Sequence, residues 1–257
     1  MSLLRIENAT RYFGGLMAVG DVTFTVPEGS IFGLIGPNGA GKTTVFNLIT
    51  GNYRVDSGKI FFRDEDISRM ATHRVVARGI ARTFQNIRLF SGMTVLENVL
   101  AGRHCRMKAG PIAAMLRLPS QRIEERRAAA RAMAELLFVG LAGHAGNLAK
   151  NLSYGNQRLL EIARALAADP SLIILDEPAG GMNDYETTAL VELISKIRNR
   201  GITVMLIEHD MSLVMRACER IVVLEHGKKI AEGNPGEIQA DPRVIEAYLG
   251  SDDDDEF

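Results

Sequence analysis

The sequence predicts an α/β protein with a mainly parallel sheet, on three observations. Short apolar runs at Ser30–Ile35, Leu172–Leu175, Thr203–Ile207 and Ile221–Leu224 read as buried strands. Helical patterns such as Asn156–Ala168 and Asp184–Asn199 stand between them. The first of these strands runs into a glycine-rich loop that opens a helix. Between Thr94 and Phe138, in contrast, nothing reads as a strand, so a helical segment interrupts the alternation.

Each element has its own grounds. Leu4–Asn8 and Val22–Val26 alternate apolar with polar residues, and Pro27-Glu28-Gly29 makes a turn, so the first 35 residues read as strands. Thr43–Thr50 is compatible with a helix that Gly51 stops. In the middle, Arg122–Leu137 is built from strong helix formers, while Gly110-Pro111 and Leu118-Pro119-Ser120 break the run. Residues 87–155 are therefore read as a helical insert whose arginines form a solvated face.

Composition bounds the function. The chain has 257 residues, 24% charged and 46% hydrophobic, which suits one large domain, or a core with a subdomain, and excludes disordered, collagenous and disulfide-scaffold proteins. The formal charge is −1, and the run Asp252–Glu256 supplies five of the negatives, leaving a body at +4. That charge is too mild to argue for nucleic acid, and the acidic run reads as a solvated, mobile end. Cys105 and Cys218 stand alone, without the spacing of a zinc site or a disulfide framework. The segment MSLLRIENATRYFGG lacks the basic flank and apolar stretch of a signal peptide, and no run has the roughly 18 apolar residues of a membrane span. Any membrane role is expected to come through a partner.

Three motifs carry chemistry. Gly36-Pro37-Asn38-Gly39-Ala40-Gly41-Lys42-Thr43-Thr44 matches G-x-x-x-x-G-K-[ST] between a strand and a helix, the context this phosphate-binding pattern requires. Glycines let backbone N–H groups curl around phosphate oxygens, Lys42 reaches the β and γ phosphates, and the Thr43 hydroxyl can ligate Mg²⁺. Leu172–Leu175 then buries a strand from whose C-terminal end Asp176 and Glu177 emerge, one suited to a Mg²⁺ shell and the other to polarising an attacking water. Finally, Ser153 looks like the N-cap of the helix that follows it, and Ser153-x-Gly155 makes a second helix start suited to an anion.

With these residues in place, the chain resembles the ATP-binding subunit of ABC transporters along almost its whole length. Leu152–Gln157 looks like the family's LSGGQ signature, and Asp176-Glu177 like its Walker B end. Gln85, in Arg82-Thr83-Phe84-Gln85-Asn86, resembles the Q-loop glutamine, and His209, just past a strand, resembles the switch histidine. Phe13, with Tyr12 as its rival, is similar to the aromatic that stacks on adenine.

The resemblance implies a RecA-like P-loop NTPase core over residues 1–86 and 156–250 with an N-terminal antiparallel β subdomain. It also implies an inserted α-helical subdomain at 87–155 that ends in the signature, and an acidic tail at 251–257. The implied cofactors are ATP and Mg²⁺, with Gly36 to Thr44 (including Pro37, Asn38, Gly39, Ala40 and Gly41) on the phosphates and Thr43, Gln85 and Asp176 around the metal. Glu177 would be the general base, with Lys42, Gln85 and His209 completing the catalytic group. In this family two subunits pair head to tail around ATP, so Ser153 and Gly155 would act in trans, with Gln157 and Asp184 carried over beside them. The implied partners are a second ATP-binding subunit, identical or different, two transmembrane permease subunits and, indirectly, a periplasmic binding protein. The implied location is the cytoplasmic face of the inner membrane.

There are departures. Tyr154 replaces the first signature glycine, Asn156 precedes Gln157, and Ala179-Gly180-Gly181-Met182-Asn183-Asp184 stands where the D-loop commonly reads S-A-L-D. Within the family the chain most resembles the larger ATPase of bacterial branched-chain (hydrophobic) amino acid importers. The residues responsible are Phe13–Val19, Ala81–Phe90, Met93–Val99 and Val244–Gly250. A urea or amide importer of the same branch is the alternative, followed by an ABC ATPase working off the membrane; a small-molecule kinase does not explain Ser153, Gly155 and His209.

Overall fold

A computed structural model describes residues 2–104, 119–208 and 211–249. Cys105, the Gly110-Pro111 break, His209, Asp210 and the acidic tail lie outside the described residues.

The N-terminal strands are β1 (Ser2–Phe13), β2 (Leu16–Pro27), β4 (Ser57–Phe62) and β5 (Glu65–Asp66), which form an antiparallel sheet in the order β2-β1-β4-β5. β1 and β2 run well beyond the alternating stretches in the sequence. Register shifts at Ile6/Ala9 absorb the break in alternation, with Asn8 at φ 49° and its amide donating to Asp21 Oδ1 at 2.6 Å.

The second sheet has the order β10-β9-β3-β8-β7-β6. Its strands are β3 (Ile31–Ile35), β6 (Ile80–Arg82), β7 (Leu172–Asp176), β8 (Thr203–Ile207), β9 (Arg220–Glu225) and β10 (Lys228–Gly233). The pairs β9/β3, β3/β8, β8/β7 and β7/β6 are parallel, and only β10 joins antiparallel. The continuous apolar runs are explained by burial on both faces. Ile31, Ile35, Ile173, Leu175, Val204 and Leu206 point into one hydrophobic cluster; Phe32, Leu34, Leu172, Ile174, Met205 and Ile207 point into the other. The second cluster is closed by the antiparallel sheet and by α1 (Lys42–Ile49), through Val45, Phe46 and Ile49.

The first cluster continues outward into helices. These include α3 (Val95–Arg103), α4 (Pro119–Phe138), α5 (Tyr154–Leu166) and α6 (Asp184–Asn199), following a short α2 (Thr72–Arg78). α3 starts at a reciprocal cap between Thr94 and Glu97, and buried Asn98 holds the preceding loop by bonds to Phe90 N–H, Phe90 O and Thr94 O. Gly102 lets α3 and α5 touch: a Cβ there would lie 2.1 Å from the Arg164 carbonyl oxygen. In α4, Ala128, Ala132 and Leu136 are buried while Arg126, Arg127 and Arg131 are exposed, the solvated face expected. Buried Glu135 accepts two hydrogen bonds of 2.6 Å from Arg200, which ties α4 to the end of α6. The chain closes with α7 (Met211–Ala217), α8 (Pro235–Ala240) and α9 (Pro242–Leu249).

Candidate functional site

β3 delivers the chain into the glycine-rich loop. Gly36 sits at φ 149°, where a Cβ would lie 2.1 Å from the Leu224 carbonyl oxygen, so only glycine fits between this loop and β9. Gly41, in the left-handed region at φ 95°, is the N-cap of α1, and neither a capping side chain nor a first-turn acid competes for that helix terminus. Such a terminus attracts an anion. Lys42 is buried and donates to the Gly36 and Pro37 carbonyls at 2.5 and 2.8 Å. Burial lowers its pKa, and the negative charges of Glu177 and Asp176 oppose that.

The carboxylates stand at the end of β7. Asp176 is buried, and desolvation pushes its pKa up to about 6, with Arg82 pulling down and Glu177 pushing up. Glu177 turns the chain at φ 45°, a left-handed conformation that costs a non-glycine residue about 1–2 kcal/mol. Its N–H donates to Ile207 O at 2.8 Å, and its carboxylate accepts from Gln85 Nε2 at 2.9 Å. Arg82 stacks between Phe46 and Phe84, 4.1 and 4.4 Å from their centroids, and donates to Asn47 Oδ1 and Thr50 Oγ1. Burial lowers its pKa to about 10.

Asn38 through Thr44, Gln85 and Glu177 line one cavity of about 380 Å³. Leu16, Met17 and Ala18 at the start of β2, and His226 and Gly227 in the β9–β10 turn, complete its wall. Sequence reasoning did not place these wall residues at the site: Leu16–Ala18 lie in the segment Phe13–Val19 that carries the branch resemblance, and His226 and Gly227 belong to no motif. Asp176 does not itself line the cavity; it lies one residue behind Glu177. Thr43 and Gln85, on the cavity wall, and Asp176 behind it fit a Mg²⁺ that keeps waters and takes its other ligands from phosphates. Among the described residues no group of three or more His, Cys, Asp or Glu side chains makes a metal cage of its own.

Ser153, Gly155, Gln157 and Asp184 are not part of that cavity wall and gather elsewhere. Ser153 caps α5, its Oγ accepting from Asn156 N–H, so the helix starts at Tyr154, earlier than the apolar spacing indicated. Gln157 turns its amide back to Leu152 O at 3.0 Å. A Cβ on Gly155 would lie 2.7 Å from Glu186 Oε1, and Glu186 in turn caps α6 through Asn183, next to exposed Asp184. Tyr154 packs on Gly181, so the signature-like segment and the loop after Glu177 are in contact. Phe13 meets Tyr53 edge-on with ring centroids 5.1 Å apart, with Arg11 over its face. Tyr12 borders a different cavity with Met17, and neither aromatic lines the one at the glycine-rich loop.

A cation-bearing phosphate loop facing a carboxylate across one cavity defines a nucleoside-triphosphate hydrolase of the phosphate-binding-loop class. Comparison with known proteins narrows this. Residues 19–180 match the sequence profile described as ABC transporter, and residues 228–254 match one described as branched-chain amino acid ATP-binding cassette transporter. The chain is 45% identical to the high-affinity branched-chain amino acid transport ATP-binding protein LivG of Escherichia coli (strain K12), over 96% of this chain and 98% of that one. It is 44% identical to the corresponding protein BraF of Pseudomonas aeruginosa, over the same shares of 96% and 98%. Its fold superposes on the ADP conformation of MJ1267, an ATP-binding cassette of an ABC transporter, with a TM-score of 0.84 and 32% identity, covering 97% of this chain and 99% of the other. The chain belongs to the ABC transporter family, as an ATP-binding and ATP-hydrolysing subunit. Such subunits work with membrane permeases, and no described helix here is long and apolar enough to cross a membrane.

Proposed function

We propose that this chain hydrolyses MgATP to energise uptake of branched-chain (hydrophobic) amino acids, at the cytoplasmic face of the inner membrane. The observation that carries this reading is the match of nearly the whole chain, and separately of residues 228–254, to proteins of branched-chain amino acid transport. Its partners are two permease subunits, a second ATP-binding subunit and, indirectly, a periplasmic binding protein. The nucleotide-binding core is taken as residues 1–86 and 156–250, with the helical subdomain 87–155 inserted in it.

The geometry supports a mechanism. N–H groups of Asn38–Thr44 and the Lys42 ammonium hold the phosphates at the α1 terminus. Glu177 takes a proton from water as the oxygen attacks the γ-phosphorus and ADP leaves, while the Gln85 amide, bonded to that carboxylate, orients it. Thr43, Gln85 and Asp176 would hold Mg²⁺, which would supply charge neutralisation of the phosphates. Ser153 and Gly155, with Gln157 and Asp184, serve the partner's nucleotide, which accords with their place outside this chain's own cavity. His209 contacts the γ-phosphate, and Phe13 or Tyr12 stacks on adenine.

The test is to purify the Glu177→Gln chain from its native membranes in MgATP. The expected result is a stable ATP-bound dimer by size exclusion, with two multi-span proteins alongside and ATP-driven uptake of leucine, isoleucine or valine by the wild-type complex. Brisk turnover by the variant removes Glu177 as the base. Uptake of urea in place of the amino acids moves the chain to the amide branch, and exclusively cytosolic partners overturn the transport reading.

A further inference from the structure

Arg158 lies in the first turns of α5 with an exposure of only 4%. A buried cation near a helix N-terminus is electrostatically unfavourable, so its partners define what holds it there. Its fork donates from Nη1 to Phe84 O at 2.8 Å and from Nη2 to Gln85 O at 2.5 Å. Nη2 also donates to Tyr154 Oη at 3.0 Å and lies 3.6 Å from where a Cβ on Gly180 would sit. Glu161, one turn on, stands 3.6 Å from Nη1, accepts the Arg88 N–H at 3.0 Å and is itself buried. Arg164, a further turn on, donates to the Arg88 carbonyl. One face of α5 thus grips the main chain of residues 84–88. The side chain projecting from the middle of that grip is Gln85, whose amide donates to Glu177.

We propose that Arg158 is a positioning residue of the ATPase site. By clamping the carbonyls of Phe84 and Gln85, it fixes the peptide from which the Gln85 amide reaches Glu177, so that the geometry at the attacking water follows the position of α5. Its contact with Tyr154 extends the link to the signature-like segment. This inference rests on the assignment of Glu177 as base and Gln85 as its orienting partner.

The phosphates are held by Gly36–Thr44, none of which Arg158 touches, so its loss is a loss of turnover rather than of ATP binding. Steady-state MgATP hydrolysis by the full chain is measured for Arg158→Met, Arg158→Lys, Gln85→Ala and the Arg158→Met/Gln85→Ala double variant. Arg158→Met is expected to lower kcat about tenfold or more with KM for ATP within about twofold. Lysine donates but cannot span both carbonyls, so Arg158→Lys falls between. The double variant falls no further than the poorer single one, because both act through the same amide.

An unchanged kcat, a KM that rises while kcat holds, or losses that multiply in the double variant each overturn the proposal. If Arg158→Met does not fold, Arg158→Lys decides: lowered kcat at constant KM supports the proposal, and wild-type kcat refutes it. Glu177→Gln in the same assay separates the two readings. If it hydrolyses normally, the assignment of the base fails and the proposal falls with it; if it stalls while the Arg158 variants turn over normally, only the proposal fails.

Discussion

Asp176→Asn is expected to stabilise the nucleotide-free chain while abolishing its ATP hydrolysis. The folded chain raises the Asp176 pKa from 3.8 to about 6, chiefly by desolvation at the end of β7. A carboxyl whose folded pKa exceeds its unfolded one binds its proton more tightly in the folded chain. The stability contributed by Asp176 is therefore greatest at low pH and is lost as pH rises from about 3.8 to about 6, then stays level. A shift of about two units at 1.36 kcal/mol each makes the ionised carboxylate cost about 3 kcal/mol at pH 8, and about half of that at pH 5. Asparagine is near-isosteric and carries no charge to desolvate. Arg82 keeps its bonds to Asn47 and Thr50 and its two aromatic neighbours when the anion is gone. Urea unfolding of wild type and variant at pH 5 and pH 8, without nucleotide, reads the difference directly. A gap that does not widen with pH, or an Asn variant less stable at pH 8, refutes the reasoning.

Two further outcomes follow from close approaches. Lys42→Ala removes the ammonium beside the Gly36 and Pro37 carbonyls, and phosphate release is expected to fall by about 10²-fold or more; wild-type turnover would remove Lys42 from the site. Gly102→Ala places a methyl 2.1 Å from the Arg164 carbonyl oxygen and must push α3 off α5, lowering stability by about 1–3 kcal/mol in urea unfolding. An unaltered midpoint would show that the two helices have room to spare.

The legibility of this protein in its sequence differs by element. The strands β3, β7, β8 and β9 are readable because burial on both faces demands continuous apolar runs. β6 spans Ile80–Arg82 alone and borrows its order from β7, so no local pattern marks it. Lys42 and Glu177 are nameable from residue type and motif context, and Gln85 from the family resemblance, because their chemistry lies in side chains. Gly227 lines the same cavity with backbone alone, and backbone leaves no trace in composition. Arg158, Glu161 and Arg164 did leave one: a charge at every third residue along an otherwise apolar helix face. That pattern carries weight because the face is buried against the main chain of residues 84–88.

The grip of α5 on residues 84–88 has a consequence for how such proteins diversify. Every bond from Arg158 and Glu161 to this stretch, and that from Arg164 to Arg88, ends on a main-chain atom. Main-chain anchorage is indifferent to which side chain each residue bears. The Arg88 side chain, which faces an apolar cleft beside α2 and α3, can thus be rewritten for a new neighbour while Gln85, on the same anchored stretch, keeps its address.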